Sequence, residues 1–146
     1  MKLKQLSIFL ENKPGSIVTP CKILSQAGIN LLTLSLADTQ QFGILRIIVR
    51  NWEQAKALLE KNGCVVKVTD VLAVEVADRP GGLAEILDAV GQAGVNVEYM
   101  YAFTLKQGDR GLLVFRFNDL DAAIRVLQNA KITVIEPVDV FKRLES

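Results

Sequence analysis

The 146 residues are half hydrophobic and carry 17 basic against 16 acidic side chains, a formal net charge of +1. That balance suits one packed domain or two small ones, and the lack of a sustained basic stripe excludes a general phosphate-tracking surface. There is no histidine, which removes the commonest general base and metal ligand.

The opening MKLKQLSIFLENK has a basic start, but its apolar run ends at Glu11. That is too short for a secretory signal, and no small-residue cleavage site follows. Within it QLSIFL alternates with period two and predicts a strand. The Pro14-Gly15 corner of ENKPGS follows. Ile17, Cys21 and Leu24 then recur at helical spacing, with Gly28 where the helix stops. Pro20 falls in the first turn, where a missing N–H costs little, and it predicts a helix that starts a residue or more later than its pattern alone suggests. INLLTLSLA and GILRIIV are predicted strands joined by the tip DTQQFG. Asn51 is expected to open a second helix as N-cap, with Gln54 at the capping-box spacing. CVVKV closes the unit as a strand.

The same order then returns. LAVEV is a strand, ADRPGG a second Pro-Gly corner, and Leu83, Leu87 and Val90 a helix face that ends at Gly94. VNVEYMYAF and GLLVFRF are strands joined by a hairpin tip at TLKQGDRG. Asp119 is the expected N-cap of the next helix, and ITVI closes the second unit. Pro14-Gly15 and Pro80-Gly81 are 66 positions apart, as are AGIN (Ala27–Asn30) and AGVN (Ala93–Asn96). The same offset pairs Leu6, Ile8 and Leu10 with Leu72, Val74 and Val76. Later landmarks are 68 apart: Leu45 with Leu113, Ala55 with Ala123, Leu59 with Leu127. The two extra residues fall in the hairpin tip, where insertions are tolerated.

The predicted fold class is α+β: two tandem ferredoxin-like βαββαβ units, residues 1–69 and 70–146, each an antiparallel sheet with two helices on one face. Val68-Thr69-Asp70 leaves almost no linker. One unit is marginal in size for an isolated core, so the two are expected to pack together and the whole chain to pair with another copy. The tail after Pro137 reads either as a short helix or as an added edge strand. Cys21 and Cys64 form no CxxC pair and behave as small buried hydrophobes rather than as a disulfide or metal site. With no export signal and no run of membrane-spanning length, the expected location is cytoplasmic.

No GxSxG, phosphate-binding loop or carboxylate-rich metal pattern appears. RGLLVFRF faintly resembles the third strand of an RNA-recognition module, but Leu112 and Val114 stand where base-stacking aromatics are needed. Arg79 stands near the place of an acylphosphatase arginine, without the Gly-rich cradle. The corners offer more. The free N–H groups of a helix start attract a carboxylate, and Gly15 and Gly81 let a ligand approach the backbone. Asn12 can meet either end of a zwitterion, whereas ionised Asp78 suits an ammonium. The alternative is that Asn12 and Asp78 only cap their helices and the glycines only allow the turn. Asn30 and Asn96, each opening a second strand, are either turn residues or polar groups reaching the corner of an adjoining unit.

The pattern strand–(N/D)-x-P-G–helix–A-G-(I/V)-N–strand, met in ENKPGS with AGIN and again in ADRPGG with AGVN, resembles the ACT domain, the small-molecule regulatory module of amino-acid metabolism. The resemblance covers both halves, and LADTQQFGILR and VNVEYMYAF look like signatures of a small stand-alone tandem group. It implies a non-enzymatic protein without cofactor or metal that senses a free amino acid at an interface between ACT units. It also implies a homodimer and a partner enzyme of amino-acid metabolism, with no nucleic-acid or membrane partner; the alternative is a docking subunit without a small ligand. The implied ligand-binding residues are Glu11, Asn12, Lys13, Pro14, Gly15, Ser16, Asn30, Asp78, Gly81 and Asn96. The histidine of serine-sensing members is replaced by Leu10 and Val76. The expected division of labour has the first repeat supplying most polar contacts and the second part of the wall, with ADTQQFG closing over the site. Tyr99 and Tyr101 are expected to pack between sheet and helices or to line an interface.

Overall fold

A computed structural model describes residues 1–107 and 109–145, with the backbone alone at 104–107. The elements run β1 (Leu3–Glu11), α1 (Val18–Gln26), β2 (Thr33–Asp38), β3 (Phe42–Ile48), α2 (Trp52–Lys61) and β4 (Val65–Ala77). They continue as α3 (Gly82–Gln92), β5 (Val97–Gln107), β6 (Arg110–Phe117), α4 (Leu120–Asn129), β7 (Val134–Ile135) and α5 (Pro137–Glu145). The chain forms two compact units: Lys4–Thr69, and the residues from Asp70 on together with Met1–Leu3. Among the described residues two βαββαβ orders give seven strands, because CVVKV and LAVEV join into the single strand β4, with Val68-Thr69-Asp70 inside it.

In the first unit β3 lies between β1 and β2, antiparallel to both, with Leu6 opposite Ile47 and Leu34 opposite the same residue. Side chains alternate across a strand. Leu6, Ile8, Leu45 and Ile47 therefore share one face, and Leu24 of α1 with Ala55 and Leu59 of α2 close over it. Val66 and Val68, from the start of β4, pack against the same core. Each fully buried large side chain here stabilises the fold by roughly 1.5–3 kcal/mol.

The second unit repeats this with β4 and β5 flanking β6, and with β7 on the other side of β4. Leu72, Val74, Phe115 and Phe117 face Ile86, Val90, Ala123 and Leu127. The rings of Phe115 and Phe117 stack with centroids 5.2 Å apart. The opposite face of this sheet is covered too. Glu75 accepts a 2.8 Å ion pair from Arg143 of α5, whose Val140 is fully buried. The tail is thus a helix. Tyr99 and Tyr101 pair with Arg116 and Val114, which puts them on this outer face by parity, away from α3 and α4. They are half-buried there, while Phe115 and Phe117 hold the side facing α3 and α4. Leu112 and Val114 are buried. The hairpin tip expected at TLKQGDRG joins β5 to β6; Gly108 within it lies outside the described residues.

The helix starts follow local chemistry. α1 begins at Val18 with Pro20 in its first turn, whereas α3 begins at Gly82, the counterpart of Ser16. Asp119 is extended (φ −139°, ψ 97°), and its Oδ1 accepts from the Ala122 N–H at 3.0 Å. Asn51 differs from its expected role. Its backbone sits at φ −98°, ψ 68°, and its side chain makes no cap hydrogen bond. The capping box with Gln54 is therefore absent, because an N-cap side chain reaches the N3 amide from the extended region. Among the described residues no helix is long and apolar enough to cross a membrane.

The two cap positions should separate in stability. Asp119→Ala loses a made hydrogen bond and should cost about 1 kcal/mol, whereas Asn51→Ala should cost less than about 0.5 kcal/mol. Urea denaturation midpoints of the two variants test this, and equal losses would refute it.

Candidate functional site

The two Pro-Gly corners are built by the same backbone hydrogen bonds. In the first, the Asn12 N–H donates to the Gln41 carbonyl at 2.8 Å, that of Lys13 to Glu11 at 3.0 Å, and that of Ser16 to Lys13 at 3.3 Å. In the second, the Asp78 N–H donates to Asp109 at 2.8 Å, that of Arg79 to Ala77 at 2.9 Å, and that of Gly82 to Arg79 at 3.0 Å. Gly15 and Gly81 take φ of +86° and +88°, a region open to glycine at no steric cost. A side chain at either position would meet nothing within 4 Å, so the space in front of both corners is open.

The side chains differ. Asn12 donates its Nδ2 to the Gln40 carbonyl at 2.8 Å, so the tip of ADTQQFG is bound to the corner beside the site. Glu11 and Lys13 pair at 2.9 Å, both well exposed. At the second corner Arg79 is held by Glu85 of α3 at 2.6 Å. Gly82 has a local reason to be glycine. A β-carbon there would lie 2.0 Å from the Ala77 carbonyl oxygen, because α3 starts two residues earlier than α1. Ser16, ahead of the later helix, escapes that contact.

Three cavities place the expected residues. One of about 490 Å³ is lined by Glu11, Lys13, Pro14, Gly15 and Ser16 together with the turn Asn62–Val65 that follows α2. Its counterpart in the second unit, about 430 Å³, is lined by Asp78 and Gly82 with the turn Ala130–Thr133 after α4. Both are large enough for a small molecule. Asn30 lines a third, of about 430 Å³, at the end of α1 with Cys21 and Leu24. Asn12, Gly81 and Asn96 line none of the three. Asn12 and Asn30 sit at opposite ends of β3, since Asn12 bonds to Gln41 and Leu32 to Ile48. Seven residues of strand put them roughly 20 Å apart, so one small ligand cannot touch both within a unit. Asn96 is tied into a turn: its N–H donates to Asn118 Oδ1 at 3.0 Å and its carbonyl accepts from the Asn118 N–H at 3.1 Å.

Sequence reasoning passed over the two turns that complete the corner cavities. Gly63 and Lys131, 68 positions apart, both adopt the left-handed conformation, at φ +83° and +60°. The repeat offset contained the signal, since a lysine stands where the twin turn has glycine. A β-carbon in that region costs roughly 1–2 kcal/mol. Cys64 lines the first cavity, and burial pushes its thiol above the usual range. It is protonated at neutral pH and a poor nucleophile.

This geometry defines a tandem double βαββαβ protein with a cavity at each strand-to-helix corner. The model of the ACT domain pair matches residues 1–144, and the chain belongs to that family. Protein BT0572 from Bacteroides thetaiotaomicron is 37% identical, with 97% of each chain covered and a TM-score of 0.89. The ligand-free regulatory subunit of aspartate kinase from Thermus thermophilus shares the fold at 18% identity and a TM-score of 0.63, covering 87% of this chain and 91% of that one. The acetolactate synthase small subunit of Buchnera aphidicola subsp. Baizongia pistaciae is 31% identical over 88 residues, 60% of this chain. The match spans 55% of that relative, about half its length.

The two glycines of the second corner should respond differently to a methyl group. Gly82→Ala should destabilise by on the order of 3 kcal/mol or more, because it meets backbone. Gly81→Ala should cost only about 1 kcal/mol of conformational strain. Denaturant titration of each checks the order, and a milder effect at Gly82 would overturn this account of the corner.

Proposed function

We propose that this ACT-pair protein is a non-catalytic regulatory protein that binds a free amino acid at its Pro-Gly corners. The reading rests above all on the doubled corner: matched backbone bonds, a left-handed glycine and a helix start beside a cavity, twice in one chain. Helix-start N–H groups favour a carboxylate. Glu11, Lys13, Pro14, Gly15 and Ser16 form the wall of the first site, Asn12 orients it through Gln40, and Asp78 and Gly81 belong to the second. Asn30 and Asn96 reach a ligand only from another ACT unit, so the site is completed where ACT units meet across a homodimer. Binding regulates a partner enzyme of amino-acid metabolism in the cytoplasm by favouring one packing of those units over another. The likeness to an acetolactate synthase small subunit supports an enzyme partner.

A second reading, an assembly subunit without a small ligand, is favoured by one observation. Leu34 and Leu36, on strand β2, are 54% and 55% exposed, as a strand awaiting a neighbour would be.

A thermal-shift panel of free amino acids on stripped protein separates the two. A ligand at about a hundred times its dissociation constant adds about 2.7 kcal/mol, which for a chain of this size raises Tm by roughly 5–10 °C. If no amino acid moves the transition, the assembly reading replaces this one. Asn12→Ala should weaken binding at least about tenfold while costing about 1 kcal/mol of stability through the lost bond to Gln40. Full binding by that variant would remove Asn12 from the site.

A further inference from the structure

The turn after α2 differs from its twin in covalent chemistry. It reads Asn62-Gly63, where the turn after α4 has Ala130-Lys131 at the same repeat offset. Of the chain's asparagines, only Asn62 precedes a glycine. The side-chain amide carbon of an asparagine can be attacked by the backbone nitrogen of the next residue, which closes a five-membered ring. A side chain on that next residue crowds the attack, and glycine has none. Asn62 and Gly63 are both exposed, and a β-carbon at Gly63 would meet nothing within 4 Å.

The fold restrains this reaction through hydrogen bonds at the end of α2. Asn62 Nδ2 donates to the Leu58 carbonyl at 2.9 Å, which ties the amide back over the last turn of the helix. The attacking nitrogen, that of Gly63, donates to the Glu60 carbonyl at 3.0 Å. The N–H groups of Asn62 and Cys64 both donate to Leu59, at 3.1 and 3.0 Å. Both reacting groups are therefore held, but by the last turn of a helix, where opening costs little free energy. The same turn, Asn62 to Val65, lines the first corner cavity together with Glu11 and Lys13.

We propose that Asn62 is a deamidation site and that the last turn of α2 sets its rate. When that turn opens, the Gly63 nitrogen gives its proton to solvent and attacks the Asn62 Cγ. The new N–Cγ bond forms, the Cγ–Nδ2 bond breaks, and Nδ2 takes a proton from solvent and leaves as ammonia. Water then opens the resulting succinimide at either carbonyl, giving aspartate or isoaspartate, and nothing is oxidised or reduced. Either product puts a carboxylate at the negative end of α2, where it cannot donate to the Leu58 carbonyl. Isoaspartate also lengthens the backbone by one carbon inside the turn. The modification thus changes the wall of the first cavity, while the twin turn holds no amide at the matching position.

Ageing the full chain at mildly alkaline pH, followed by peptide mapping with mass spectrometry, tests this. The peptide holding Asn62 should gain the mass of exchanging an amide nitrogen for oxygen, ahead of any other asparagine. Aspartate and isoaspartate should both be found there. The same chain unfolded in guanidinium should react at Asn62 at least tenfold faster than the folded chain. A folded chain that stays unmodified, or that reacts first at another asparagine, would overturn the site. Aspartate without isoaspartate would overturn the route through the ring. Equal rates in the folded and unfolded chain would overturn the restraint by α2.

Discussion

A single backbone hydrogen bond in each unit sets the geometry on which the rest of the site depends. It runs from Asn12 to Gln41 in the first unit and from Asp78 to Asp109 in the second, 2.8 Å in both. It joins the end of a unit's first strand to the tip of its hairpin, at the point where the chain must reverse into a helix. Once that bond is made, the next residues are forced through a tight corner, and the residue after proline must enter the left-handed region. Glycine meets that demand at both positions. The helix then begins just beyond the end of the first strand, and like every helix start it leaves first-turn N–H groups without intrahelical partners. The cavity is a product of this closure rather than of any one side chain.

Duplication let the two corners keep this frame while their chemistry diverged. In the first, Pro20 and a later helix start leave room for Ser16, and Asn12 spends an amide hydrogen on Gln40. In the second, α3 begins against the Ala77 carbonyl, so only glycine fits at position 82. The opposing turns diverged as well, into Gly63 and Lys131. The first cavity carries the Glu11–Lys13 ion pair, and the second carries the Arg79–Glu85 pair together with further charges of both signs. A sheet face treated differently in the two halves follows the same logic. α5 has no counterpart in the first repeat, and it covers the outer face of the second unit through Val140 and Arg143.

Much of the fold was legible in the chain because the signals are local and repeated. Period-two runs placed the strands, three-and-four spacing placed the helices, and agreement of landmarks such as AGIN with AGVN joined them into two units. Local rules failed where a residue's neighbours are distant. Asn51 has an N-cap's identity and spacing, yet the strand before it delivers the backbone in a conformation from which the side chain cannot cap. Tyr99 and Tyr101 read equally as packing residues or as interface residues, and only register against β6 decides their face, since it gives the side of α3 and α4 to Phe115 and Phe117. The turns that complete the cavities lie about fifty residues beyond the corners they face, and no motif marks them.

By itself, then, the amino-acid order determined the two units, their element order and the two Pro-Gly corners. Periodicity, turn chemistry and internal repetition act over a few residues and read the same wherever the segment lies. Only the tertiary structure decided that Asn12 and Asn30 stand at opposite ends of one sheet, and that Lys131 faces Asp78 across a cavity. The reason is physical: which groups share a space depends on strand register and on helix-to-strand turns closing over long stretches of chain.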